Sequence, residues 1–182
     1  MLAAMTSRET SPGPGAARGR AGLLALALTL VAAAPAHPRD LGTIVGKAFV
    51  VDANIVEVKG QRIRLFGVDA PDRSQTCSNK KGGAYPCGLR AAFALDNLAK
   101  GKVISCVPRG VDSELRILAV CSYAGLDIGG AMVESGWSIA DERYSGDYVG
   151  TEGAAQAAKL GLWAGAFDDP TAWRQKNKAV KP

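Results

Sequence analysis

The chain has 182 residues, of which 47% are hydrophobic and 21% are charged, and its formal net charge is +5. These values are ordinary for one soluble globular domain rather than for several domains. The mild positive charge permits a nucleic-acid partner but does not demand one, so composition alone leaves the function open.

The first 36 residues have the pattern of an export signal. Arginines give a basic start, residues 21–31 form a short apolar core, and Ala34-Pro35-Ala36 offers small residues to a signal peptidase. A retained anchor is the alternative, although the apolar run is shorter than the roughly 20 residues that span a membrane. The start codon is either Met1 or Met5.

Cleavage near Ala36 predicts a periplasmic or secreted protein that begins at His37 and has no stable membrane association. The removed segment carries three arginines and one glutamate, so the formal net charge falls from +5 to +3. No cysteine follows the apolar core, which disfavours a lipid anchor.

The residue pattern of the mature chain predicts an α+β domain. After a lead-in at 37–42, hydrophobic patterning and turn residues predict five strands, at 43–51, 55–58, 62–68, 103–107 and 115–121. Helices are predicted from Gly88 to Gly101, at 126–135 and within 148–160. This order fits a five-stranded OB-fold β-barrel with three α-helices.

The remaining segments are a loop and a tail. Residues 69–85 form a long polar loop of the kind that often carries function. Residues 161–174 are expected to wrap the domain and bury Trp163 and Trp173, and a disordered tail is predicted at 175–182. The sequence shows no repeat and no linker that divides residues 43–174.

Four cysteines follow the leader, and an even count in an exported chain favours disulfides. Cys106 and Cys121 lie in two apolar runs joined by a polar turn, and an antiparallel pairing would bring them together. We therefore predict the bridges Cys106–Cys121 and Cys77–Cys87. A zinc site is the alternative, but the cysteine spacings are wide and the single histidine is at the new terminus.

The stretch from Arg62 to Asp72 combines a cationic strand with a turn that carries carboxylates. Side chains alternate along a strand, so Arg62 and Arg64 point to one face, and Pro71 ends the strand before Asp72. Arginine beside Asp69 and Asp72 suits a phosphate site with a metal ion. It equally suits a surface ion pair.

Several motifs, taken in order, resemble those of the thermonuclease, or staphylococcal-nuclease-like, family. The motifs span about residues 43–174 and are Val51-Asp52, Arg62 to Asp72, Tyr85 to Gly88, Asp112 to Ala119, Val133 to Trp137, Gly161 to Trp163 and Pro170 to Arg174. The resemblance implies an OB barrel that hydrolyses DNA and RNA phosphodiesters with calcium. Its site needs two metal carboxylates, two phosphate-binding arginines and one general-base glutamate.

Carried over by position, Arg64 and Arg116 match the two arginines, and Asp69 matches one metal carboxylate. The backbone carbonyl of Ala70 would serve as a further metal ligand. Asp72 stands where the resemblance implies the catalytic glutamate.

Three positions depart from the family pattern, and the mildest change is Ala70 in place of a common threonine, because a metal would need only its backbone carbonyl. Asn54 replaces the second metal aspartate, which removes one formal charge and predicts weak or absent calcium binding. Asp72 is one methylene shorter than glutamate, and a misplacement of about 1 Å can lower a rate on the order of a hundredfold.

Tyr144 and Tyr148 are the candidates for stacking on bases, which favours single-stranded DNA or RNA as the partner. Three functions remain open for what we expect to be a monomer. The first is an exported nuclease with a weakened calcium site. The second is a non-catalytic relative that binds nucleic acid or another phosphate ligand through Arg64 and Arg116. The third is a protein-interaction scaffold.

Overall fold

The computed structural model describes residues 42–178. The predicted export signal at 1–36, the lead-in up to residue 41 and the last four residues of the predicted tail lie outside this part.

The fold begins with three antiparallel strands. These are β1 (Ile44–Asp52), β2 (Ile55–Val58) and β3 (Gln61–Leu65). The β2–β3 hairpin turns at Lys59 and Gly60, which have φ angles of 53° and 74°. Two consecutive positive φ angles suit the right-handed twist of a tight hairpin, and glycine adopts such an angle at no steric cost.

The strand predicted at 62–68 is interrupted by a turn at Phe66 and Gly67, and three very short strands follow β3. They are β4 (Val68–Asp69), β5 (Cys77–Ser78) and β6 (Ala84–Tyr85). The last two form a small hairpin with each other. This local pairing gives the loop a fixed course from the end of β3 to the first helix.

A helix and two long strands complete the barrel. They are α1 (Cys87–Ala99), β7 (Val103–Val111) and β8 (Ile117–Tyr123). The long strands pair in the order β3-β2-β1-β7-β8, and a parallel pairing of β3 with β8 closes the ring. The predicted five-stranded barrel is therefore confirmed.

The rest of the described chain packs outside the ring. It contains β9 (Leu126–Asp127), α2 (Ile128–Glu134), β10 (Ile139–Ala140), α3 (Val149–Ala157), a 3-10 turn (Gly161–Ala164) and α4 (Pro170–Lys178). Four α-helices occur where three were predicted, and α4 runs past the predicted start of the disordered tail. It has too few apolar residues to show helical periodicity in the sequence.

The main core fills the barrel and the space under α1 and α2. Its large members are fully buried aliphatic side chains, among them Ile63, Leu65, Leu95, Ile104, Ile128 and Met132. The two tail tryptophans were predicted to be buried, and this was wrong. Trp163 is half-buried and meets Phe167 edge-on, with ring centroids 4.9 Å apart, and Trp173 is half-buried beside a cavity.

Both predicted disulfides are present, and they use all four cysteines. Cys106 and Cys121 are direct partners in the β7–β8 pairing, whereas Cys77–Cys87 ties the β5–β6 hairpin to the start of α1. A zinc site made of thiolates is thereby excluded. Two disulfides indicate an oxidising, extracytoplasmic location.

Within residues 42–178, no helix combines the length and the apolar character that a membrane crossing requires.

Candidate functional site

A cavity of about 640 Å³ lies between residues of the barrel and helix α4. Four segments contribute to its wall: the β1–β2 turn, the loop after β4, the residue before β8 and the helix α4. Arg64 and Arg116 both line it, together with Asn54, Ala70 and Asp72. Five of the predicted site residues therefore share one cavity.

The parallel pairing of β3 with β8 explains why the two arginines meet. Arg64 is aligned with Leu118, which lies two residues beyond Arg116. Because side chains alternate along strands, residues two positions apart share a face. The barrel closure thus sets both guanidinium groups on the same side of the wall.

Asp69 does not line this cavity and instead lines a second, smaller one together with Asp141, Arg143 and Thr171. It is 2% exposed, and its Oδ1 accepts a hydrogen bond from Arg64 Nη2 at 3.1 Å. Arg64 also donates to Asp141 Oδ2 at 3.5 Å, whereas its buried Nε has no partner among the described residues. A buried guanidinium with carboxylate partners is held in a fixed orientation.

The turn between β1 and β2 supplies Asn54. Its Nδ2 donates to Asp69 Oδ1 at 3.0 Å, and the backbone N of Ala70 donates to the same oxygen at 3.0 Å. Asn54 therefore neutralises part of the Asp69 charge by hydrogen bonding. An aspartate at this position would instead repel Asp69.

Arg116 is held by two acidic residues of the β7–β8 turn. Its Nε donates to Asp112 Oδ2 at 2.7 Å, and its Nη1 lies 3.0 Å from Glu114 Oε2. Burial works to raise the pKa of Asp112, but hydrogen bonds from the backbone and guanidinium of Arg116 and from the Glu114 backbone lower it overall. Asp112 therefore stays charged and orients Arg116.

Two further carboxylates face the cavity. Asp72 Oδ1 accepts hydrogen bonds from the backbone N and the hydroxyl of Ser74, at 3.0 and 2.6 Å. Asp52 lines the same cavity. Its pKa is raised, mainly because it is buried. The hydrogen bond from the Ala53 backbone lowers the pKa in part, and the negative charge of Asp72 raises it further. Asp52 was not among the predicted site residues.

The loop that carries Asp72 is packed tightly against α1. A Cβ on Gly88 would overlap the carbonyl oxygen of Asp72. That carbonyl accepts a hydrogen bond from Gln75 N at 2.8 Å, and Gln75 in turn accepts one from Gly88 N at 3.1 Å. Only glycine allows this close approach of loop and helix.

Helix α4 forms the remaining side of the cavity and was absent from the predicted site. Arg174 Nη2 contacts Asp69 Oδ2, and its Nη1 donates to the carbonyl oxygen of Ala70 at 3.3 Å. Thr171 Oγ1 donates to the same Asp69 Oδ2 at 2.9 Å. Trp173 lines the cavity beside Arg174.

The two tyrosines do not line the cavity. Tyr148 is 8% exposed, belongs to the main core and donates its hydroxyl to Asp127 Oδ2 at 2.6 Å. Burial and this hydrogen bond raise its pKa. The burial of its ring disfavours a stacking role for Tyr148. Tyr144 is half-buried, and its ring centroid lies 5.9 Å from the guanidinium carbon of Arg64.

The family of this chain follows from its similarity to known proteins. The profile of the family described as staphylococcal nuclease homologue matches residues 62–165, more than half of the chain. The chain belongs to this family. Arg64, Asp69, Asp72 and Arg116 lie inside the matched range, whereas Asn54 and α4 lie outside it.

Two curated proteins are similar in sequence to this chain. The succinoglycan biosynthesis protein ExoI of Rhizobium meliloti is 33% identical over 123 residues, which cover 66% of this chain and 64% of that protein. An uncharacterized endonuclease of Haemophilus influenzae is 32% identical over 123 residues, with the same coverage of 66% and 64%. The chain thus spans less than two thirds of the length of either relative.

The family is calcium-dependent in general, and the resemblance assigned Asp69, Asn54 and Ala70 as ligands. The arrangement does not fit a calcium ion at these atoms. Both Asp69 carboxylate oxygens and the Ala70 carbonyl already accept hydrogen bonds from the protein, and Asn54 turns its amide nitrogen toward Asp69. Residues 42–178 also contain no group of three or more metal-ligating His, Cys, Asp or Glu side chains.

Proposed function

We propose that this protein binds phosphodiesters of DNA or RNA in the cavity and hydrolyses them slowly. The observation that carries the proposal is the shared cavity of Arg64 and Arg116. Guanidinium groups bind phosphate oxygens through paired hydrogen bonds and stabilise charge that develops in the transition state. Two of them on one wall suit a single scissile phosphate.

Asp72 is the proposed acceptor of the proton from the attacking water. It lines the cavity, and the two hydrogen bonds from Ser74 fix its carboxylate through Oδ1. A positioned carboxylate can act as a general base when water lies within hydrogen-bond reach. The shorter reach of aspartate relative to glutamate is the reason we propose a slow reaction.

A second candidate function is binding without hydrolysis. It is favoured because the carboxylate oxygens of Asp69 and the carbonyl oxygen of Ala70 already accept hydrogen bonds from donors of the protein. In that case Arg64 and Arg116 would hold a phosphate ligand, and Asp72 would take no part. A scaffold function would leave the convergence of the two arginines unexplained.

The protein is proposed to act outside the cytoplasm, as a monomer, on single-stranded rather than double-stranded nucleic acid. Two disulfides and the signal-like pattern of residues 1–36 support export. The endonuclease name of one relative supports a nucleic-acid substrate. The half-buried Tyr144 is the proposed aromatic contact beside Arg64.

The test uses purified oxidised protein and labelled single-stranded DNA, with calcium or with chelator, and double-stranded DNA for comparison. We expect salt-sensitive binding and slow cleavage. Arg116→Ala should abolish both, whereas Arg62→Ala, an exposed arginine near Arg64 on β3, should change neither by more than about twofold.

Binding without cleavage under every condition would select the second candidate. Equal loss in the Arg62 and Arg116 variants would show that only net charge matters, and it would contradict a site at this cavity.

A further inference from the structure

Helix α4 contributes one aromatic residue to the wall of the cavity. Trp173 lines the cavity together with Arg174 and with Asn177, which follows Trp173 by about one helical turn. Residues four positions apart lie on the same face of a helix. One face of α4 therefore borders the cavity, and Trp173 is the only aromatic residue among the described residues that line it.

Core packing does not explain the position of this tryptophan. Trp173 is half-buried and belongs to none of the apolar core clusters, not even as a partly buried neighbour. Within residues 42–178 its indole has no contact with another ring or with a cation, and only its backbone takes part in hydrogen bonds. An indole at a cavity wall without such a partner is available to a ligand.

We propose that Trp173 forms a nucleobase subsite, on which an unpaired base next to the bound phosphate stacks. The inference rests on the proposed function, since it names the part of a nucleic acid that the same cavity recognises beyond the phosphate. Tyr144, the aromatic contact proposed above, does not line the cavity, so Trp173 is a separate contact. Its role is to determine specificity, and it takes no part in proton transfer.

The size and lining of the cavity suit a nucleotide. Its volume of about 640 Å³ lies within the range of about 300–1,000 Å³ that is typical of small-molecule sites. Arg64 and Arg116 provide cationic groups, and Ile55 is the other large apolar side chain of the lining. A nucleotide combines an anionic phosphate with an apolar base face, and each part matches one kind of lining residue.

The charges of the lining give stacking a necessary part in binding. Three arginines and three carboxylates line the cavity, so their formal charges cancel; they are Arg64, Arg116, Arg174, Asp52, Asp72 and Glu114. The cavity as a whole therefore attracts an anion only weakly. Contact of a base with an indole adds affinity that does not depend on the net charge of the wall.

The helix that carries the indole is fixed in position. Thr171 Oγ1 donates to Asp69 Oδ2 at 2.9 Å, and Arg174 contacts the same oxygen. The segment before the helix is tied by Gln75, whose Nε2 donates to the carbonyl oxygen of Asp168 at 2.8 Å. A ring on a preorganised element loses little conformational entropy when a ligand stacks on it.

Stacking at this subsite selects single strands over duplexes. In a duplex the base faces are covered by neighbouring base pairs, so a base reaches an indole only after it is unpaired and unstacked. A base of a single strand avoids most of this cost. Every base has a π-face, so we expect little preference for one base over another.

The first measurement compares two short single strands with phosphorothioate linkages, which resist hydrolysis. One is oligothymidylate, and the other is an abasic strand of the same length and backbone. The oxidised wild-type protein should bind the thymidylate strand at least about fivefold more tightly, the lower end of what stacking of one base contributes. Trp173→Ala should remove this difference and should bind the abasic strand within about twofold of wild type.

The matched control is Trp163→Ala, because Trp163 is also half-buried but packs against Phe167 and does not line the cavity. It should leave both affinities within about twofold of wild type. Trp173→Phe should keep most of the preference for the thymidylate strand, whereas Trp173→Leu should not. An unchanged preference in Trp173→Ala, an equal loss for both strands, or equal rescue by leucine and phenylalanine would overturn the proposal.

The second measurement does not depend on the folding of an alanine variant. A nucleobase stacked on an indole quenches its fluorescence, so the thymidylate strand at saturation should quench part of the emission of the wild-type protein. The abasic strand should not. The quench should vanish in Trp173→Phe and persist in Trp163→Phe. A quench that survives in Trp173→Phe would contradict the subsite.

Failure of this inference and failure of the proposed function give different results. If Arg116→Ala loses affinity for both strands while Trp173→Ala matches wild type, the nucleic-acid function stands and the subsite fails. If the wild-type protein binds neither strand, the proposed function fails and the subsite fails with it.

Discussion

Gly88, in the first turn of α1, packs directly against the carbonyl of Asp72, and no side chain fits between them. Gly88→Ala must therefore push the Asp72 loop away from the helix. We expect a loss of about 1–3 kcal/mol in the free energy of unfolding. Displacement of Asp72 by about 1 Å should also lower the cleavage rate on the order of a hundredfold. Urea unfolding and single-turnover cleavage measure the two effects.

Gly153 in α3 is the matched control for this substitution. A Cβ there meets nothing within 4 Å. Gly153→Ala should raise the free energy of unfolding by about 0.5–1 kcal/mol, since alanine favours the helix. If Gly88→Ala behaved like Gly153→Ala, the tight packing of loop and helix would be contradicted.

Asp69 is the buried partner of two arginines. Asp69→Ala leaves Arg64, which is 8% exposed, without its nearest carboxylate partner. Breaking a buried pair in this way typically costs about 3–5 kcal/mol. Urea unfolding at neutral pH measures the loss. Asp96→Ala removes only the surface pair with Lys100 and should cost no more than about 1 kcal/mol. Similar costs for both variants would argue against a buried ion pair at Asp69.

Asp112 should make stability depend on acid pH. Its pKa is lowered in the folded protein, so the folded state gains stability from it above the unfolded-state pKa of about 4. This stabilisation is lost as the pH falls through the lower folded-state value. Asp112→Asn should therefore reduce the difference in unfolding free energy between about pH 6 and about pH 2. An unchanged difference would mean that Arg116 does not stabilise the Asp112 carboxylate.

The departures at Asn54 and Asp72 can be reversed together. Asn54→Asp puts a second carboxylate beside Asp69, where Nδ2 of the asparagine now lies 3.0 Å from Oδ1. Without cation the double variant Asn54→Asp, Asp72→Glu should melt at a lower temperature than wild type, because the two carboxylates repel. Calcium should raise its melting temperature more than that of wild type, and cleavage should be faster. If calcium affects both proteins equally, Asn54 is not the cause of a weak metal site.

The barrel was predictable because its strands have strong local signals. Val56, Val58 and Ile63 are buried at alternating positions next to a Lys59-Gly60 turn, and this pattern favours a hairpin. The Cys106–Cys121 bridge followed from the same strand prediction, since these cysteines lie on neighbouring strands, and Cys77–Cys87 was then the remaining pair. Strand ends were less well predicted. β7 continues to Val111, beyond a shift in its register with β8 between Pro108 and Gly110. No residue pattern in the sequence predicts this extension of the strand.

Helix α4 was missed although it carried a readable start signal. Asp169 accepts a hydrogen bond from Ala172 N at 2.8 Å, and Pro170 occupies the first helical position. An aspartate cap followed by proline is a recognised helix start. The contact of Arg174 with Asp69 joins residues 105 positions apart, and no local pattern predicts such a contact. The same holds for the burial of Tyr148, which depends on packing against α2.

The parallel closure of the barrel has a consequence for how the protein acquires its site. Ile63 pairs with Ile117, so the ring closes only when two strands that are far apart in the sequence meet. Contacts so distant in sequence slow folding, because a long loop must be ordered before they form. Arg64 and Arg116 therefore come together only when β3 and β8 pair. The phosphate site is thus a property of the closed ring, and neither strand carries it alone.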